Sequence, residues 1–125
     1  MHNRPSDREL QKRISEAKDS LTIKQGVFAN PAKAMNELNE LNIDDSNDIW
    51  GLIRELLNEI SPGFYKGSSP PQKSYEKAIN GSELFAFCWL SEKLGKEMYM
   101  KFALKNGRYY YVSLHPHRSV EQEGV

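Results

Sequence analysis

The stretch KEMYMKFALKNGRYYYVSLHP, residues 96–116, decides the fold. Two runs rich in aromatic and aliphatic residues lie on either side of Lys105-Asn106-Gly107. An Asn-Gly pair between such runs is the strongest short-range indication of a β-hairpin. The sequence therefore predicts two antiparallel strands that are joined at this turn.

The alternation of residues predicts how the two strands pair. A two-residue turn would pair Lys105 with Arg108, set even-numbered residues against odd-numbered ones and mix the two faces. A three-residue connection, with Gly107 in the left-handed conformation, pairs odd with odd and leaves one face wholly apolar. We therefore predict the three-residue connection. The opposite face, the front face, then carries Tyr99, Lys101, Tyr111, Ser113 and His115.

Composition predicts one globular domain in the cytoplasm. The chain has 125 residues, 38% of them hydrophobic, which suits a single domain with a proper core. No apolar run approaches the roughly 20 residues of a membrane-spanning helix, and the N-terminus lacks a signal-peptide segment, so we expect no membrane partner. The single cysteine, Cys88, lies in an apolar run and is interpreted as a small buried hydrophobic residue.

The formal net charge of zero conceals an uneven distribution. Residues 93–118 carry 6 basic and 1 acidic side chains, so that positive charge concentrates on the hairpin. This excess is consistent with a partner that bears phosphate groups. Lysines that protect strand edges from aggregation give the same pattern, and charge alone does not separate the two explanations.

Three helices are expected before the sheet. Ser6-Asp7-Arg8-Glu9 is a capping box that predicts a helix to about Asp19, and Asn30-Pro31 predicts the start of a second helix. A third follows Asn42-Ile43-Asp44-Asp45-Ser46, which is expected to cap it. The third helix carries the strongest amphipathic stripe in the chain: Ile49, Trp50, Ile53, Leu56, Leu57 and Ile60. Trp50 is interpreted as a core residue.

Residues 83–90 are almost wholly apolar and predict a strand in the middle of the sheet, buried on both faces. The fold class is therefore α+β, with a three-stranded antiparallel meander packed against two or three N-terminal helices. Within the single domain 1–125, we expect an N-terminal helix and linker (1–29), a core (30–116) and a tail (117–125). The long loop 67–82 is predicted to be functional or mobile.

Several kinds of active site find no support in the sequence. His115-Pro116-His117 has no cysteine or carboxylate cluster beside it, so no metal or other cofactor is expected. No serine lies in a nucleophile-elbow motif, and no glycine-rich phosphate loop is present in the sequence.

The front face has the chemistry for a phosphodiester. Lysine stabilises the charge of a pentacoordinate transition state, and histidine or tyrosine transfers protons near neutral pH. In RNA the 2′-hydroxyl is the nucleophile, so that a metal is not required, and aromatic rings offer stacking surfaces to bases. A solvated sheet face or a protein-binding edge explains the same residues equally well.

Three segments in order resemble the MqsR family of type II toxin–antitoxin ribonucleases, within the RelE-like group. They are Glu40-Leu41-Asn42-Ile43-Asp44, Phe64-Tyr65-Lys66-Gly67-Ser68, and the hairpin strands 97–102 and 112–115. Their order and spacing cover residues 30–116. This chain differs from the family pattern in its longer loop 67–82 and its N-terminal helix. The family's glutamine before the hairpin has only Glu83 as a candidate here.

The resemblance implies a RelE-like fold and an mRNA endoribonuclease that a cognate antitoxin protein neutralises. By their positions in the matching segments, Lys66, Tyr99, Lys101 and His115 take the catalytic roles. In the resulting hypothesis, His115 and Tyr99 transfer protons, while Lys66 and Lys101 hold the scissile phosphate. The residues expected to contact RNA are Tyr111, Ser113, Lys105 and Arg108. The alternative is a non-catalytic RNA- or protein-binding module.

Overall fold

The computed structural model describes residues 4–43 and 48–117, and it has an α+β architecture. Three helices precede the last three strands of a four-stranded sheet. Two short 3₁₀ turns, Pro62–Phe64 and Lys77–Ile79, lie between the third helix and these strands. The elements, in chain order, are α1 (Asp7–Ile23), β1 (Val27–Phe28), α2 (Pro31–Glu40), α3 (Ile49–Leu57), β2 (Phe85–Ser91), β3 (Lys96–Lys105) and β4 (Arg108–Pro116). None of these helices is both long and apolar enough to cross a bilayer.

The first two helices begin where the capping residues predict. The Ser6 side chain accepts a hydrogen bond from the Glu9 backbone N–H, and Asn30 accepts one from that of Lys33. The first helix continues four residues beyond the expected Asp19, because Ser20 and Leu21 in its last turn are buried and the Ser20 hydroxyl accepts the Tyr109 backbone N–H at 3.0 Å. The predicted cap at residues 44–46, like the tail beyond residue 117, lies outside the described residues.

The sheet is mixed and has four strands, in the order β1-β4-β3-β2. The predicted antiparallel meander is present as β2, β3 and β4, but the short β1 adds a parallel strand beside β4, within the segment expected to be a linker. The strand β2 consequently lies at the sheet edge, which corrects the prediction of a central strand. Its outer side is covered at one point, where Tyr65 pairs with Phe87.

The hairpin connection has two residues, and the predicted three-residue connection is wrong. Lys105 pairs with Arg108, while Asn106 and Gly107 adopt φ angles of 54° and 70°. These left-handed conformations are those of a type I′ turn, which Asn-Gly accommodates well. A β-bulge between Lys101 and Phe102 then shifts the register, so that odd-numbered residues pair with odd-numbered ones only beyond it.

The bulge divides the hairpin into two parts with different facing. Between the turn and the bulge, Phe102 pairs with Tyr111, and the rings of Tyr109 and Tyr111 are buried in the core, with 0% and 1% of their surface exposed. The predicted position of Tyr111 on the front face is therefore wrong. Beyond the bulge, Lys101 pairs with Ser113 and Tyr99 with His115, which is the predicted register.

The helices cover the back face of the sheet. The α3 stripe is buried as predicted, and the Trp50 ring packs in the core at 4.8 Å from the ring of Phe28. On the front face, the loop 67–82 covers the turn end of the hairpin, where Ile79 packs against Leu84 and Ala103. The far end of the hairpin lies next to this loop and carries the candidate site.

Candidate functional site

Tyr99 and His115 form a stacked pair on the front face. They are cross-strand partners on β3 and β4, with ring centroids 5.0 Å apart and planes inclined by 22°. The His115 Nδ1 atom lies 2.8 Å from the Pro116 carbonyl oxygen. Because a carbonyl oxygen only accepts hydrogen bonds, Nδ1 carries the hydrogen, and the lone pair of the neutral ring belongs to Nε2.

The environment of Tyr99 keeps its phenol protonated. Burial raises the pKa of Tyr99 from 10.0 to about 12, and the negative charges of Cys88, once its thiol ionises, and of Glu37 act in the same direction. A phenol with this pKa is a hydrogen-bond donor and a proton donor at neutral pH, not a base. Any base in the stacked pair is therefore His115.

Two lysines reach the same part of the front face from distant segments. The Lys101 Nζ atom lies 5.8 Å from the centre of the Tyr99 ring. Lys66 is brought alongside by its backbone N–H, which donates to the Ala86 carbonyl at the edge strand β2 at 2.8 Å. Lys66, Tyr99 and Lys101 all line a cavity of about 140 Å³, together with Gln72 and Ser68. No carboxylate among the described residues lines it.

The site predicted from the sequence is therefore assembled in part. Three of the four residues expected to be catalytic share one cavity, and the fourth, His115, stacks on one of them. The structure gives these four residues a common location.

The four residues expected to contact RNA are not gathered at this cavity. The Tyr111 hydroxyl is in the core and donates to Glu37 at 2.6 Å, and Ser113 is only 3% exposed, because its hydroxyl accepts a hydrogen bond from the Lys33 Nζ atom. Lys105 donates to the Ala78 carbonyl and Arg108 to that of Gln25, both at the turn end of the hairpin. Tyr111 and Ser113 are thus buried rather than exposed on the front face, and contact of the four residues with RNA stays a prediction.

A second, larger cavity of about 450 Å³ adjoins the first and shares Gln72, Leu84 and Lys101 with it. We call the two cavities together the groove. The remaining residues that line the larger cavity are Lys33, Lys73, Ser74, Tyr75, Glu76 and Val112. Sequence reasoning missed Lys33 and Gln72, since neither lies in a motif and Lys33 is 80 positions from its partner Ser113.

Cys88 lies beside Tyr99 on the front face, in contrast to its interpretation as a buried hydrophobic residue. It is partly exposed, and its Sγ atom is 3.5 Å from His117 Nδ1. Burial raises the pKa of the thiol, against the opposing effect of the Lys66 charge, so the sulfur stays protonated near neutral pH. Over residues 4–43 and 48–117, no three His, Cys, Asp or Glu side chains group as metal ligands.

The candidate site is therefore a lysine-lined groove beside an imidazole–phenol pair, on the front face of a mixed sheet. Comparison of the chain with protein-family models, with curated proteins and with solved structures found no match.

Proposed function

We propose that this protein is a metal-independent mRNA endoribonuclease, the toxin of a type II toxin–antitoxin pair with an MqsR-like, RelE-like fold. The observation that carries the proposal is the stacked pair of Tyr99 and His115 beside a cavity lined by Lys66 and Lys101. A phosphate in this cavity meets cations and a phenol donor. The resemblance in the order of three segments supports the same function.

The proposed reaction begins with the 2′-hydroxyl of the RNA. His115 Nε2 removes its proton while the 2′-oxygen forms a bond to phosphorus, and Lys101 and Lys66 stabilise the additional negative charge. The bond from phosphorus to the 5′-oxygen breaks, and Tyr99 donates a proton to the leaving oxygen. Its pKa of about 12 is below that of an alcohol, so this transfer is favourable. The products are a 2′,3′-cyclic phosphate and a 5′-hydroxyl.

The test is incubation of the purified protein with mRNA in excess EDTA. We expect fragments with the two named ends, and we expect the double variant His115→Ala, Tyr99→Phe to produce none. Tyr110→Phe is the matched control, because this tyrosine lies in the same hairpin but packs against the Ile79 cluster. Absence of cleavage by the wild-type protein, or its survival in the double variant, contradicts the proposal.

Binding of RNA without cleavage would instead favour the non-catalytic module. A growth assay tests the biological part of the proposal: induced expression in the cytoplasm slows growth, and co-expression of the neighbouring antitoxin gene restores it. Growth that is unaffected by expression contradicts the toxin assignment.

A further inference from the structure

We propose that the larger cavity of the groove is a nucleoside subsite, in which the Tyr75 ring stacks on one base of a single-stranded RNA. This inference rests on the proposed function in one respect, namely that the neighbouring phosphate lies in the smaller cavity. The larger cavity, at about 450 Å³, falls within the usual size range of small-ligand sites.

Tyr75 is too exposed to be a core residue. Its side chain is 89% exposed, the highest value among the large apolar and aromatic residues described as exposed. An aromatic ring at the rim of a lysine-lined cavity offers a base a stacking surface that tolerates any sequence. The ring is therefore placed for a ligand with a flat, apolar face.

The backbone that carries Tyr75 is held in place before any ligand binds. The neighbouring Ser74 is buried, its N–H donates to the Ser82 carbonyl, and its own carbonyl accepts from Gly81, each at 2.8 Å. Its hydroxyl accepts the Glu76 backbone N–H at 3.0 Å. Stacking on Tyr75 thus requires little ordering of the loop, which favours binding.

Lysines mark a path for the phosphates between the two cavities. Lys33, Lys73 and Lys101 line the larger cavity, and within the described part of the chain none of them forms an ion pair with a carboxylate. Lys33 is oriented by its hydrogen bond to Ser113, which leaves two of its three hydrogens for other acceptors. Because Lys101 lines both cavities, one chain of phosphates can contact it while passing between them.

Other residues that line the cavity suit a base better than a phosphate. Leu84 and Val112 supply apolar surface, and the Glu76 carboxylate would repel an anion. A base carries no charge at neutral pH, and its amino groups donate to carboxylates. The phosphates are therefore expected at the lysines, and the base on the Tyr75 ring.

The test measures binding of a fluorescently labelled 2′-O-methyl RNA octamer, which lacks the 2′-hydroxyl nucleophile. We expect Tyr75→Leu to weaken binding about tenfold, as loss of one base stack does, and Tyr75→Trp to restore it. Phe64→Leu is the matched control, since it removes an exposed aromatic ring that does not line the groove. Inorganic polyphosphate, which has the charge and no bases, is expected to bind wild type and Tyr75→Leu equally.

The subsite is overturned if Tyr75→Leu binds the RNA octamer with an affinity within twofold of the wild type. It is also overturned if Phe64→Leu loses as much RNA affinity as Tyr75→Leu, or if Tyr75→Leu loses as much affinity for polyphosphate as for RNA. Cleavage of ordinary RNA, measured in parallel, separates this inference from the nuclease proposal. A protein that cleaves but binds independently of Tyr75 keeps the nuclease and overturns the subsite. One that binds through Tyr75 but does not cleave keeps the subsite and overturns the nuclease.

Discussion

Glu37 on α2 accepts a hydrogen bond of 2.6 Å from the hydroxyl of Tyr111 on β4, and both side chains are buried. The same carboxylate oxygen accepts the Leu114 backbone N–H at 3.0 Å. The strand β1 pairs with β4 only as far as Tyr111, so beyond that point Glu37 substitutes for a neighbouring strand. The helix α2 thereby holds the segment that leads directly into His115.

We expect Tyr111→Phe to lower the free energy of unfolding by about 1.5–3 kcal/mol, because it removes a buried hydrogen bond to a carboxylate. Tyr109→Phe is the matched control: its hydroxyl is equally buried, but among the described residues it has no hydrogen-bond partner. Its removal is expected to leave stability unchanged or raised. Urea unfolding checks both variants, and equal effects at the two positions would contradict the assignment of the bond.

Stability is expected to fall as the pH rises above 10. Burial raises the pKa of Tyr109, and burial together with the hydrogen bond and charge of Glu37 raises that of Tyr111. The unfolded chain loses these phenol protons near pH 10 while the folded protein keeps them, so the full stability is present below pH 10 and declines above it. Each tyrosine contributes about 1.4 kcal/mol per pH unit.

The measurement is urea unfolding of wild type and Tyr109→Phe between pH 8 and 11. The two proteins are expected to have parallel pH profiles below pH 10 and to diverge above it, with the shallower decline in the variant. Profiles that stay parallel over the whole range would show that burial does not retain the Tyr109 proton.

Lys101 and Lys105 provide a matched pair for the role of charge in the groove. Both are on the front face of β3, but they are four residues apart, which is about 13 Å along a strand. The Lys105 side chain donates a hydrogen bond to the Ala78 carbonyl. We expect Lys101→Met to reduce RNA cleavage by at least about a hundredfold, through loss of transition-state stabilisation. Lys105→Met is expected to retain cleavage within a few-fold, and a comparable loss in both variants would assign the effect to overall charge.

Two glycines test the packing of the helices against the sheet. A Cβ atom at Gly26 would lie 2.6 Å from the buried Trp50 ring, whereas one at Gly51, within α3, would meet nothing within 4 Å. We expect Gly26→Ala to destabilise the protein by about 1–3 kcal/mol, and Gly51→Ala to stabilise it by about 0.5–1 kcal/mol. Thermal unfolding distinguishes them, and a neutral Gly26→Ala would mean that Trp50 can move aside.

Local signals in the sequence predicted much of the fold but misplaced part of the site. The capping residues of the first two helices, the α3 stripe and the position of the hairpin turn are properties of neighbouring residues, and the structure confirms them. The prediction that Tyr111 lies on the front face was wrong because the bulge at Val112, five residues after Gly107, has no distinct sequence signal. A three-residue connection and a two-residue turn followed by a bulge both give odd-with-odd pairing at Tyr99 and His115. Only the three-residue connection puts Tyr111 on the front face, and the structure buries Tyr111.

The sequence by itself determined the starts of the first two helices, the apolar helix stripe and the existence of the hairpin, because these depend on residues within a few positions of one another. Only the tertiary structure decided that Lys66 and Lys101 share a cavity, that Lys33 covers Ser113, and that Tyr111 is buried against Glu37. These contacts join residues 35 to 80 positions apart. They follow from the order of the strands and from how α2 and the long loop pack on the sheet, which no local pattern encodes.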